Sequence, residues 1–260
     1  MHNYWSRLIG VCGVVTAALL LSSCNSSGLD SGGSSSTDQS ATGVWSGTDS
    51  VSGFSVSALI NSAGQATFVR SDGIQFTGSA QVSGSTLAVT VDGTSDFPNS
   101  FGDGSTFGIG TLNGAVTTGT SITATLTFNT NGGTAISGSW SLSYLAQSNN
   151  ASSPAAISGN YTDTSTGAVL SINSNGVMTS QGLSNCVLNG SVSTGDTSHN
   201  VYEVSYTYES CSGSYAGLNR VQFTGLASLN TGSSPTQLFI AVTGASSTNK
   251  YSIVSTLNGS

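Results

Sequence analysis

"SITATLTF", residues 121–128, places Ile122, Ala124, Leu126 and Phe128 at every second position, with Thr123, Thr125 and Thr127 between them. A β-strand throws successive side chains to opposite faces, so this stretch buries one face and wets the other. The rhythm returns in "GSWSLSY" (138–144), where Trp140, Leu142 and Tyr144 alternate with serines. It returns again in "VYEVSYTYE" (201–209), with Tyr202, Val204, Tyr206 and Tyr208 on one face and Val201, Glu203, Ser205, Thr207 and Glu209 on the other. Between such runs lie "NSAGQ" (61–65), "SDG" (71–73), "SGS" (83–85), "LNG" (112–114), "NTNGG" (129–133) and "NSNG" (173–176). Gly and Asn accept positive φ, so each reads as a hairpin turn. No stretch keeps a 3.6-residue period over three turns, and helix is expected only in the apolar N-terminal segment.

The strands fall into two comparable sets. One opens with "GVWSGT" at Gly43 and ends near Ala146; the other opens with "SGNYTDT" at Ser158 and ends near Leu257. Each starts with Gly, a variable residue and an aromatic (Trp45, Tyr161), and each continues into an Asn-Ser-x-Gly turn. The expectation is an all-β fold of two tandem antiparallel meander lobes, 43–147 and 157–260, with "QSNNASSPAA" giving a linker at 148–156. Each lobe is a small barrel or a barrel-like sandwich. Closure is favoured because Lys and Arg, which protect open strand edges, are nearly absent.

Upstream of the lobes, the apolar run "LIGVCGVVTAALLL" (8–21) is too short for a bilayer span of about twenty residues. With Arg7 before it and small residues after it, residues 1–23 read as an export signal. Leu21-Ser22-Ser23-Cys24 resembles the lipobox of bacterial lipoprotein signal peptides. That resemblance implies diacylation of the Cys24 thiol, cleavage before it and acylation of the new terminus, which together make a stable anchor. In the enteric bacteria an Asp after the cysteine resembles an inner-membrane retention signal; Asn25 stands here, so the outer membrane is expected. Residues 24–42, rich in Ser, Gly and Thr, read as a flexible tether.

Without residues 1–23 the chain keeps three permanent cations, Arg70, Arg220 and Lys250, against eleven acids, a net charge of −8. Three scattered cations make no basic patch, so nucleic acid and polybasic headgroup binding are excluded as roles. With Cys12 removed and Cys24 lipidated, Cys186 and Cys211 remain, and two cysteines in an oxidising compartment are expected to pair. Two thiols with no CxxC and no nearby histidine do not make a zinc site.

The second lobe is similar to a group of uncharacterised Gram-negative lipoproteins over most of residues 157–257. The resemblance rests on "GNYTDT", "NSNGVMTS", the Cys186 strand, "NVYEVSYTYESCSGSYAGL" and "LFIAVTG". It implies β-barrel-like lobes on a lipid anchor and brings no activity, cofactor or catalytic residue.

Chemistry is sparse in the rest of the chain. His199 is the one histidine past the signal, in a turn-like "GDTSHN" with no nucleophile elbow. Glu203 and Glu209 lie about 20 Å apart along one strand, too far for a glycosidase pair, and read as solvated. "VDGTSDFPNSFGDGS" gathers Asp92, Asp96 and Asp103 with Phe97, Phe101 and, just beyond, Phe107. It lacks the EF-hand spacing, and as the longest irregular loop of the first lobe it is the candidate binding loop for a partner. The tyrosines at 202, 206 and 208 either line a lumen for a small lipophilic ligand or form core. The sequence therefore points to an outer-membrane lipoprotein without enzymatic activity or cofactor, in a recognition or structural role, the alternative being a carrier.

Overall fold

The computed structural model describes residues 37–183, 186–247 and 249–260. The signal segment, Cys24 and the tether through residue 36 lie outside them.

The chain forms two closed antiparallel barrels of eight strands, each a simple meander. The first comprises β1 (Gly43–Asp49), β2 (Ser55–Ile60), β3 (Gln65–Arg70), β4 (Ile74–Ser83), β5 (Thr86–Ser95), β6 (Phe107–Thr117), β7 (Ser121–Thr130) and β8 (Ala135–Tyr144). It closes where β1 pairs with β8, Trp45 opposite Tyr144. The second comprises β9 (Gly159–Thr162), β10 (Val169–Ile172), β11 (Val177–Leu183), β12 (Cys186–Ser193), β13 (Tyr202–Glu209), β14 (Gln222–Asn230), β15 (Gln237–Ala245) and β16 (Lys250–Gly259). It closes through Asn258 opposite Thr162 and Gly259 opposite Tyr161. Of the two architectures open from the sequence, the barrel is the one formed. Closure gives every strand a partner on both sides, which a chain so poor in charge needs.

Alternation does what the sequence promised. On β7, Ile122, Ala124, Leu126 and Phe128 are buried while Thr123, Thr125 and Thr127 are exposed. Side chains fill the interior of the first barrel. Phe76 packs edge-on to Phe128 at 5.3 Å and tilted to Trp140 at 5.6 Å, and Phe68 meets Trp140 at 5.4 Å. In the second barrel Tyr206 stacks on Phe223 at 5.5 Å and meets Tyr208 at 5.0 Å. Burial pushes the Tyr206 hydroxyl well above its usual pKa. Cys186, at the start of β12, is bonded to Cys211 just beyond β13.

The two barrels repeat each other in detail. Trp45 Nε1 donates to the carbonyl of Ala41 four residues earlier, and Tyr161 Oη donates to the carbonyl of Ile157 four residues earlier. Asn61 Oδ1 accepts from the amides of Ala63 and Gln65, as Asn173 Oδ1 does from those of Asn175 and Val177. Gly64 and Gly176, at φ of 81° and 82°, follow these asparagines in a conformation that favours glycine.

Two sequence readings change. "LNG" at 112–114 is not a turn but the middle of β6. There a Cβ on Gly114 would lie 1.9 Å from the Thr123 carbonyl oxygen, so the glycine serves close strand approach. The tether does not run free to residue 42. The Asp38 carboxylate accepts from the Gly84 amide, Gln39 donates its amide to the Gly84 carbonyl, and Ala41 is buried. The linker is held to both barrels. Ser148 exchanges hydrogen bonds with the backbone of Val44, and Ser152 Oγ donates to the Asp196 carbonyl at 2.7 Å.

Candidate functional site

A strand whose outer face is wet shows alternating burial; several strands here do not. Val44, Leu59, Thr67, Gln75 and Thr94 point away from the first barrel's interior, yet all are buried. Leu226, Ser228, Ala241 and Ser252 do the same on the second. These faces meet: β14 lies against β2 and β3, and β16 against β5. At the centre of the seam, Val44 and Leu59 pack with Val201 and Leu226, joined by the partly buried Leu145 and Phe239. At the seam the fold turns apolar side chains outward and covers them.

Most of the candidate loop is engaged at this seam. Asp96 forms a parallel bridge with Ser252, and its Oδ1 accepts from the Val254 amide at 3.2 Å. Burial pushes the Asp96 carboxyl up to about 6, against the opposing pull of that hydrogen bond. The Phe97 amide donates to the Ser252 carbonyl, and its ring packs on Tyr215 and Tyr251 at 5.5 and 5.6 Å. Asp92 pairs with Lys250 at 2.9 Å, and Lys250 also sits 5.6 Å over the Phe107 ring. Phe101 turns inward against Phe128, 5.7 Å away. Asp103 accepts from Ser105 and from the Thr130 hydroxyl, which hold its carboxyl below the usual range. The loop expected to meet a foreign partner therefore clasps the second barrel and closes its own. Glu203, expected to be solvated, accepts from Asn61 Nδ2 across the seam at 3.0 Å.

Two concavities open along this junction, at opposite ends of β14 and β15. One, of about 340 Å³, is lined by Thr77, Asp92 and Thr94 from the first barrel and Gln222, Thr243 and Lys250 from the second. The exposed Asp92–Lys250 pair crosses it, and a pair so wet contributes little to stability. The other, of about 180 Å³, lies beside the apolar centre and the linker. Its first-barrel wall carries the facing serines Ser46 and Ser57 next to Val44 and Leu59. Its second-barrel wall carries Ser228 opposite Phe239, Phe239 opposite Thr256, and Asn230 opposite Gln237.

Elsewhere the polar clusters are structural. Asp49, inside the first barrel, accepts from Ser52 Oγ at 2.7 Å and from the amides of Val51 and Ser139, with Arg70 at 3.6 Å. Burial pushes its carboxyl up, and these partners outweigh it and hold it low. Asp196, Ser198 and His199 gather in one turn, but both Asp196 Oδ2 (2.5 Å) and Ser198 Oγ (3.1 Å) approach the same nitrogen, His199 Nδ1. A nucleophilic triad needs them on different ring nitrogens. Hydrogen bonds from Ser198, then His199, hold Asp196 down to about 2. Among the described residues no three His, Cys, Asp or Glu side chains converge as metal ligands.

Comparison of the chain with protein-family models, with curated proteins and with solved structures returned no match.

The seam residues had a signal in the sequence. "ALI" (58–60), "GLASL" (225–229) and "LFIAV" (238–242) are continuous small or apolar runs rather than alternations, the mark of strands buried on both faces.

Proposed function

We propose that the chain is a lipid-anchored outer-membrane lipoprotein whose paired barrels serve recognition at the cell envelope without enzymatic turnover. The observation that carries the recognition role is the contrast between interior and seam. Packed aromatic side chains occupy both barrels, whereas concavities lined by both barrels lie along the junction. Loop and junction surfaces on a rigid scaffold are where binding sites concentrate. The anchor is supported by the lipobox-like Leu21–Cys24 and the short tether before Asp38. The same contrast weighs against a carrier that would hold a lipophile inside a barrel.

The test combines two readouts. Cells expressing the chain are labelled with an alkyne-bearing palmitate, then fractionated. Label in the outer-membrane fraction that disappears with Cys24→Ser supports the anchor; an unlabelled, freely released wild type overturns it. Native mass spectrometry of the purified protein then separates recognition from carriage. A stoichiometric lipophile lost on changing Tyr206 to a small residue would replace this reading with the carrier.

A further inference from the structure

We infer that the smaller concavity at the seam is a binding slot for one neutral pyranose ring, the terminal sugar of a glycan. This deepens the recognition reading above and rests on it. The slot, at about 180 Å³, is below the range of drug-sized pockets and matches a single six-membered ring with its substituents. One wall is the partly exposed ring of Phe239. The face of an aromatic ring is electron-rich, and the C–H face of a pyranose presents slightly positive hydrogens to it.

The remaining polar lining is hydroxyl and carboxamide. Ser46, Ser57 and Thr256 carry hydroxyls that donate and accept, and Gln147 adds a carboxamide. Asn230 Oδ1 already accepts from the Gly232 amide and Gln237 Nε2 already donates to Asn258 Oδ1 at 3.4 Å, each keeping its other polar atom for a ligand. A sugar hydroxyl also donates and accepts, so this set complements it without protonation of either side. Among the described residues no Asp, Glu, Lys or Arg lines the slot, which gives a charged ligand no counter-charge there. An apolar ligand of the same size would leave these groups facing hydrocarbon, at a cost that discriminates strongly against it.

Ser228 supplies an independent pointer. It is 2% exposed, it lines the slot between Asn230 and the apolar centre, and its Oγ has no hydrogen-bond partner among the described residues. A buried hydroxyl left unpaired is costly, and such groups are rare in folded proteins. That oxygen is covered in the structure as it stands, and a ligand hydroxyl in the slot pairs it once the side chain turns about its Cα–Cβ bond.

The experiment is a titration of the full chain, in a detergent without a sugar headgroup, read by saturation-transfer NMR and calorimetry. The probes are methyl glucopyranoside, methyl galactopyranoside and N-acetylglucosamine, with glucuronate and cyclohexanol as charged and apolar controls. At least one neutral pyranoside should bind, with both controls at least about tenfold weaker. Ser228→Ala should weaken that binding by about fivefold to tenfold, the worth of one hydrogen bond. The same variant should melt no lower than wild type, because it removes an unpartnered group; this separates lost binding from lost folding. Phe239→Leu keeps an apolar contact but removes the ring face, and should weaken binding more than Ser228→Ala does. The inference is overturned if no neutral pyranoside binds, if both variants bind like wild type, or if a control binds equally well. Loss of palmitate labelling with binding intact would remove the anchor alone; the reverse pattern would remove the slot alone.

Discussion

Gln75 offers a sharp test of how the seam is built. It lies on β4, with Phe76 beside it pointing into the barrel, and it is opposite Val69 on one side and Thr94 on the other. It is 0% exposed, and neither its Nε2 nor its Oε1 has a hydrogen-bond partner among the described residues. An unpaired buried polar group costs about 1–3 kcal/mol, and a carboxamide brings more than one such atom. Gln75→Met keeps the length of the side chain, removes both polar atoms and adds a thioether that adapts to irregular gaps. The expected gain is about 2 kcal/mol. For a folded unit of this size, each kcal/mol moves the melting temperature by about 2–4 °C, so the variant should melt about 4–8 °C higher. Gln75→Ala removes the same polar atoms but leaves a void where the barrels meet, and should fall below the Met variant. Differential scanning calorimetry of the three proteins at one pH decides the matter. A Met variant that melts at or below wild type would refute the reasoning, because it would mean that the amide makes favourable interactions at the seam.

Three further outcomes follow from particular contacts. Reducing Cys186–Cys211, which spans a sequence separation of 25, should lower stability by about 3.5 kcal/mol on the chain-entropy estimate, read as a lower denaturant midpoint with and without dithiothreitol. Asp96, raised by burial to about 6, favours the protonated folded state. Its contribution is complete below the ordinary value of 3.8 and is lost as pH rises through 6, so the wild-type melting temperature should fall from pH 4.5 to 7 relative to Asp96→Asn. An unchanged difference across that range would contradict a buried Asp96. Gly114→Ala should cost several kcal/mol or prevent folding, because its Cβ would meet the Thr123 carbonyl oxygen at 1.9 Å; a soluble variant with wild-type melting would contradict the close approach of β6 and β7.

The barrels were legible wherever one face of a strand is wet. Ile122 to Phe128 and Tyr202 to Tyr208 announce themselves by period two, and both runs point inward as that period requires. Where the chain departs from this pattern, local chemistry misleads. Asn113-Gly114 has the composition of a turn, but the glycine is there for interstrand spacing, which depends on Thr123 in the next strand. Asp92, Asp96 and Phe97 look like a loop offered to solvent, because nothing local tells that β16 will lie alongside it. The slot was illegible for the same reason. Ser46, Ser57, Asn230 and Gln237 are ordinary outer-face residues until the two barrels are brought together.

The two barrels are alike in plan and unlike in outer surface, and the seam explains the difference. The first barrel uses the outer face of β1–β5, whereas the second uses that of β14–β16, which correspond to β6–β8 of the first. The contact is therefore heterologous, one face of a repeat against a different face of the next. Contacts of this kind propagate unless something stops them. The leftover faces are mainly hydroxyl-bearing, with Ile109 on β6 of the first barrel and Val169 and Val177 on β10 and β11 of the second as their exposed apolar residues. On β7 and β8 the positions that would meet a preceding copy are Thr123, Thr125, Thr127, Ser137, Ser139 and Ser141, all exposed. On β15, which corresponds to β7, the outer positions include Phe239 and Ala241 instead, at the seam. At the other end, where the first barrel buries Val44, Leu59 and Thr67, the second presents Asn160, Ser171 and Thr179, none of them buried. A chain with almost no charge to keep its copies apart instead clusters Val44, Leu59, Leu226 and Phe239 on the two faces that cover each other. The exposed threonines and serines of β7 and β8 offer no such cluster to another barrel.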